Sequence, residues 1–501
     1  MSVVSHAPRT GEIVARVEET PTHELAAVVQ RAAAAAPVLA AASPAQRRDW
    51  LHGIADALDA HRDELAALAD RETALGGQRL TGEVTRAAAQ LRFYGDVAVE
   101  GSYLAVTVDD ATATTPRLVR VNRPLGPVAV FGASNFPFAF SALGNDTGAA
   151  LAAGCPVVVK GHSAHIALTM RQAEIARAAL AAAGAPEGTF DVVVGHQAGV
   201  DLVQAAEVTA VAFTGSQTGG LALWRIANER EVVIPVYAEM GTVNPVVVTR
   251  DGAADMASVA AGFVGSFTMG HGQFCTKPGI MLAPVGVGAP ESVAAALREA
   301  APSPVMLTRS IAESVAVGIE QMEDAGAVLL ERVEPDHAGW SAAAAVLRAD
   351  AADLKPGSRL LEECFGSVVL VCEYASDAAL ADVLATLQGS LAASLITGDA
   401  TDAQAPSLLE LLSRKVGRVA VNEWPTGVAF SWAQQHGGPW PSTSVPSATS
   451  VGAHGLARFL RPVAYQSAHD AWLPPEARSD NPWGLPRRVN GHLQPGPGDR
   501  S

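Results

Sequence analysis

Cysteine is scarce in this chain: Cys155, Cys275, Cys364 and Cys372 are its four thiols, with no CxxC pair among 501 residues. That excludes a disulfide framework and a multi-thiolate zinc site, so no metal is expected, and it suits a reducing compartment, the cytoplasm. Positive charge is also short. Thirty-five Lys and Arg stand against 51 Asp and Glu, a net charge of −16. A nucleic-acid partner is excluded, because phosphate binding needs clustered cations. Aromatics are only 5%, and alanine carries much of the 49% apolar fraction, which favours closely packed helices over a large β-sandwich. No basic segment followed by an apolar one opens the chain, so no secretory signal is expected. The apolar run from Leu25 to Ala42 is broken by Gln30, Arg31 and Pro37, short of the roughly 20 residues of a membrane span, and reads as a soluble helix. No GxGxxG follows a strand, so the usual dinucleotide fingerprint is missing.

What is present has the texture of two α/β units, and the length exceeds one ordinary core. Ser43, Pro44 and Gln46 form a capping-box pattern before Leu51, Ile54, Ala55 and Leu58 at helical spacing, so the chain is predicted helical to about Gly95. Alternation over 103–108 and 117–121 predicts a hairpin. From Pro127 the runs PVAVFG, CPVVVK, TFDVVVG and VTAVAFTG alternate with alanine-rich helical segments. Such runs are buried parallel strands, and their ligands bind beyond the carboxyl ends. A second α/β section extends from about Val246 to Val421. The end, LPRRVNGHLQPGPGDRS, has little capacity to pack and is expected to be a loose tail.

The residues just past the strands carry the chemistry. Lys160 ends a strand where a cation reaches ribose or phosphate. Gly215 and Ser216, in FTGSQTGG, open a helix whose amides suit phosphate. Asn135, in GASNFPF, supplies an amide that caps a helix or stabilises an oxyanion. Glu239, between apolar strands, is either salt-bridged or a base. Cys275, in GQFCTKPG, is either a small buried hydrophobe or a nucleophile on a tight loop.

Taken in order, GASNFPFAF, VVVKGHSAH, FTGSQTGG, AEMGTVNPVVV, GQFCTKPG, ECFGSVVLV and NEWPTGV resemble the aldehyde dehydrogenase superfamily from about Pro44 to Pro462. The resemblance implies an α/β fold: a Rossmann-type cofactor domain (1–238), an α/β catalytic domain (239–433) and a small β oligomerisation element from the 103–121 hairpin and 434–470. Residues 471–501 remain as the tail. It makes Cys275 the nucleophile, Glu239 the base for deacylation, and Asn135 with the Cys275 N–H the oxyanion hole. Lys160, Ser163, Gly215 and Ser216 become cofactor contacts, and Glu363 and Phe365 steady the nicotinamide ribose and ring.

The segments GASNFPFAF, AAGCPVVVKGHSAH, GQFCTKPG and HGGPWPST are similar to the bacterial NADP-preferring fatty aldehyde and α-ketoglutaric semialdehyde (2,5-dioxovalerate) dehydrogenases. NADP is therefore expected, with NAD also accepted, because Ser163 stands where many NAD-using members carry a carboxylate. The implied partners are an aldehyde, with a semialdehyde or a fatty aldehyde the two candidates, and further copies of the chain in a homodimer or homotetramer. The usual Trp before the asparagine is Ser134 here, and Ser367 replaces the proline of FGP. Two other readings are a Cys-His hydrolase through His271, near Cys275 in sequence, and a nucleotide-binding protein without catalysis. Cys155 and Cys372, in apolar runs, are expected to be silent.

Overall fold

The computed structural model describes residues 1–496. Helices appear where the sequence patterns place them. Ser43 accepts from Gln46 N, and Gln46 in turn bonds the Ser43 N–H, so the capping box opens the helix Pro44–Ala60. That helix buries Trp50, Leu51, Ile54, Ala55 and Leu58 and packs on the long helix Gly77–Glu100. The helix Thr22–Ala41 is long and apolar enough to cross a membrane by length and composition. Its Leu25, Val28, Val29 and Ala32 instead share a buried cluster with Val158, Val193 and Leu202.

The first large sheet has five parallel strands in the order Phe190–Val193, Val157–Lys160, Val128–Phe131, Ala210–Gly215, Val236–Met240. The order reverses between Val128–Phe131 and Ala210–Gly215, and a crevice at the carboxyl ends of such a pair is where ligands bind in open α/β sheets. The second sheet has seven strands, centred on Ile280–Pro284 and Pro245–Val248, and runs from Val328–Val333 to Val416–Val421. It is parallel apart from the antiparallel edge strand Val328–Val333.

The two sheets meet through the chain after residue 430. Met240 N donates to Ser442 O and Ser444 N to Ala238 O, with Glu239 opposite Thr443 in an antiparallel bridge. A segment distant in sequence is thereby sewn to the edge strand that carries Glu239.

The hairpin forms from Val106–Asp109 and Leu118–Pro124, and Leu460–Gln466 pairs with its second strand. The loose tail is corrected here. Arg487–Val489 runs parallel to Val106–Asp109, and His492–Gln494 adds a fifth strand. Three apolar residues suffice to anchor it: Leu473, Ala477 and Leu485 are buried with Val106, Val119 and Val121. Leu485 lies so close to Gly101 that a Cβ there would sit 2.3 Å from its Cδ2. Residues 497–501 lie outside the described part. Leu485→Ala is expected to cost about 2–5 kcal/mol through the cavity it leaves. The urea midpoint measures this, and a change below about 0.5 kcal/mol would mean the segment is not docked.

Candidate active site

The thiol loop follows the helix Met256–Thr268. Gly270, His271 and Gly272 take positive φ in succession, a path that turns the chain back sharply. Gly272 also permits a close approach, since a Cβ there would lie 2.2 Å from the Gly366 carbonyl carbon. The loop is then fastened from several sides. Asn244 Nδ2 donates to Cys275 O at 2.8 Å and Lys277 O at 3.1 Å, while its Oδ1 accepts from Ala392 N. Lys277 Nζ is buried and bonds Cys364 O and Val368 O at 3.0 and 2.7 Å. Asn135 Nδ2 donates to Gln273 O at 2.7 Å, which leaves its second N–H free for a ligand.

At the thiol, three groups from distant parts of the chain converge. His436 Nε2 is 3.7 Å from Cys275 Sγ and 2.9 Å from Glu239 Oε1. The histidine and the glutamate are 1% and 3% exposed. Glu239 Oε2 accepts from Ser450 Oγ. Oε1 is close enough to the imidazole for an ion pair yet off line for a hydrogen bond. His436 Nδ1 is buried without a partner, which favours placing the ring proton on Nε2, facing the carboxylate and the sulfur.

The charges follow. Burial pushes the Glu239 pKa up, but the nearby His436 imidazole, together with Ser450 and Cys275, holds it below the ordinary carboxylate value. Burial, then the Glu239 and Glu363 charges, raise the Cys275 thiol well above its usual value. The resting sulfur is therefore protonated and needs a base. Thiolate, imidazole and carboxylate also make a donor set for Zn²⁺, with donor atoms within 4.8 Å of one another. An ion there would occupy the thiol and block its attack.

Cys275 and Glu239 lie in the lining of a cavity of about 420 Å³. Its walls are the turns Gly132–Asn135 and Phe213–Ser216 at the reversal point of the five-stranded sheet, and Glu363 and Phe365 face them. Ser216 caps the helix Gln217–Asn228, accepting from Gly219 N at 3.2 Å, so that helix presents its amide end to the cavity. Glu363 Oε1 is buried and unpartnered, an acceptor suited to ribose hydroxyls. Gly241 leaves room for it, because a Cβ would come 2.1 Å from that carboxylate. These features fit a nicotinamide dinucleotide.

Of the residues named from the sequence, Cys275, Glu239, Asn135, Gly215, Ser216, Glu363 and Phe365 share this cavity. Lys160 and Ser163 do not line it. Lys160 ends its strand, partly buried, and Ser163 is exposed at the start of the following turn. The sequence reading missed His436, Ser450, Asn244 and Lys277. The first sits in the quoted HGGPWPST and the third in AEMGTVNPVVV, so the signal was present without being assigned to a residue. His271 is not the partner of the thiol. Its ring lies in the field of Arg79, and burial lowers its pKa to about 4. Burial raises Cys155 to about 11 and Cys372 to about 12.

A thiol, a base and an amide donor beside a cavity at the carboxyl ends of a parallel sheet fit an oxidoreductase acting on carbonyl groups. Comparison with known proteins makes this specific. Residues 1–461 match the Aldehyde dehydrogenase family, to which the chain belongs. It is 42% identical over 463 residues to alpha-ketoglutaric semialdehyde dehydrogenase 2 of Azospirillum brasilense, covering 90% of this chain and 88% of that protein. It is 39% identical over 462 residues to alpha-ketoglutaric semialdehyde dehydrogenase of Acinetobacter baylyi, covering 89% and 87%. The NAD-dependent aldehyde dehydrogenase from Sinorhizobium meliloti shares the fold with a TM-score of 0.80 at 24% identity, covering 94% of this chain and 92% of that one. The chain is thus an aldehyde dehydrogenase, oxidising an aldehyde to a carboxylate with a nicotinamide cofactor.

Replacing His436 by Gln removes the imidazole that holds Glu239 down, so burial then governs and the Glu239 pKa rises. The acid limb of kcat against pH is expected to move to higher pH. Alkylation of Cys275 by iodoacetamide, followed by mass spectrometry, is expected to slow by about 10²-fold. Wild-type alkylation rates in the variant would remove His436 from the thiol's activation.

Proposed function

We propose that the chain oxidises α-ketoglutaric semialdehyde to α-ketoglutarate, preferring NADP, with Cys275 as nucleophile. The observation that carries this reading is the convergence of Cys275, Glu239 and His436 at one end of the 420 Å³ cavity. The relatives above, named for that semialdehyde, support the substrate, and a medium- or long-chain aldehyde is not favoured. The four free cysteines suit a cytoplasmic enzyme, and the five-stranded sheet built on the hairpin supports a homodimer or homotetramer.

The steps follow from the geometry. Cys275 Sγ attacks the aldehyde carbon while its proton passes to the Glu239–His436 pair. The aldehyde oxygen, gaining negative charge, accepts from the free Asn135 N–H and the Cys275 N–H, and one such donor is worth about 3 kcal/mol. Gly215, Ser216, Glu363 and Phe365 would hold the nicotinamide cofactor, which when bound would supply the hydride acceptor beside that carbon. Glu239, ionised at neutral pH by its histidine, then takes a proton from water, whose oxygen attacks the thioester. The acid leaves, Sγ regains a proton from the pair, and the second proton passes to solvent.

Two measurements test this. Glu239→Gln keeps the shape but cannot take a proton. Stopped-flow is expected to show one rapid burst of reduced cofactor, with an acyl adduct on Cys275 by mass spectrometry and slow turnover after it. No burst and no adduct would mean that Glu239 is needed chiefly to take the proton of the thiol, and would overturn its role as the base for deacylation. For the cofactor, the proposal puts the adenosine 2′ position beyond the lined cavity, with Lys160 supplying positive charge and Ser163 a neutral donor there. Hydrogen bonds to a charged group are worth about 1.5–3 kcal/mol, enough for a tenfold preference for the 2′-phosphate. Ser163→Glu is expected to cut kcat/KM for NADP much more than for NAD by like-charge repulsion. Equal losses, or a wild type favouring NAD, would move the 2′ site elsewhere.

A further inference from the structure

Two arginines that form no ion pair among the described residues stand near the thiol, outside the lining of the cofactor cavity. Arg86, on the helix Gly77–Glu100, donates from Nη2 to Val428 O. Arg418, on the strand Val416–Val421, donates from Nη2 to Pro425 O at 2.5 Å and Gly427 O at 2.9 Å. Both therefore close on one short loop, 425–428, from different elements. In each guanidinium Nε is buried without a partner. A cation with unmet donors in a half-buried apolar setting costs solvation free energy that an anionic ligand restores.

The path from these arginines to the reacting centre is short. Arg86 Cζ is 5.9 Å from the Phe140 ring centroid, and His436 meets the same ring edge-on at 6.1 Å. His436 in turn touches Cys275. Val428 and Phe140 share a buried apolar cluster against which Phe136 packs, and Phe136 meets Phe274, the neighbour of Cys275, at 4.9 Å. Both guanidinium charges reach the Cys275 sulfur electrostatically. The opposing carboxyls are weak counterweights. Glu83 is buried, engaged with Phe138 N and Ala139 N, and burial raises its pKa. Glu423 is exposed, where water and salt screen it. Arg79 is spent elsewhere, bonding Asn135 O at 2.7 Å between the Phe136 and Phe274 rings.

We propose that Arg86 and Arg418 anchor the distal carboxylate of a short semialdehyde whose aldehyde end lies at Cys275. The proposal rests on the aldehyde-oxidising reading above and adds the residues that select an anionic substrate. The apolar wall of Phe140, Phe136 and Val428 holds the methylene chain between the two ends.

The test compares 5-oxopentanoate with pentanal, five-carbon aldehydes that differ in the distal carboxylate. Wild type is expected to show the higher kcat/KM for 5-oxopentanoate, with the advantage falling as salt rises. Arg86→Gln and Arg418→Gln are expected to lose about tenfold more on 5-oxopentanoate than on pentanal, chiefly in KM, and Arg86→Lys to recover part of that loss. Equal losses on both substrates would make the arginines loop fasteners alone and overturn the proposal. So would a wild type that prefers pentanal, a measurement that needs no variant to fold. A wild type that oxidises neither compound would instead overturn the aldehyde-oxidising reading itself.

Discussion

A carboxylate with almost no exposed surface has to be kept charged, and the 2.9 Å approach of His436 to Glu239 does this. Without the imidazole, burial would protonate the acid, and a protonated acid takes no proton from a thiol or from water. The condition explains much of the architecture. Glu239 ends an edge strand of one sheet, while Cys275 leads into the central strand of the other. The chain 436–450 returns to that edge, bringing His436 and Ser450 to the same carboxylate. The Ser442 and Ala238 backbone bonds fix the return in register.

The same burial pushes the sulfur toward its neutral form as well. Nearby acids, Glu239 and Glu363, make the Cys275 thiol hard to ionise, whereas many reactive cysteines sit in electropositive surroundings. Nucleophilicity is then produced on demand by proton transfer within the cluster, and a resting thiol resists casual oxidation. Precision comes from the backbone. Asn244 ties the carbonyls of Cys275 and Lys277 to the strand beside it, and Lys277 ties the loop to the chain on either side of Phe365.

Much of this was legible in local pattern. The Ser43–Gln46 cap, the apolar runs ending at Lys160 and Gly215, and the helix opening at Ser216 are each decided by a few neighbouring residues, and they form as read. His436 was not legible as the thiol's partner because 161 residues separate it from Cys275 and its segment has no periodicity. His271 looked closer only along the chain. The segment after residue 470 was misread for a different reason. Its composition is poor in apolar residues, but three well-placed ones and a backbone pairing to Val106–Asp109 hold it. Lys160 and Ser163 share the strand end expected of them without reaching the cavity, since a strand's carboxyl edge offers more than one direction.

The stitch between residues 238–240 and 442–444 also bears on how the molecule comes into being on the ribosome. Domains form as units, N-terminal first, while synthesis proceeds. The loop bearing Cys275 is complete long before residues 436–450 emerge. A nascent chain therefore carries both its sulfur and its carboxylate without the imidazole that later stands between them. Chemical competence arrives only with residues 436–450, when the strands before them already exist and the edge at Val236–Met240 awaits its partner.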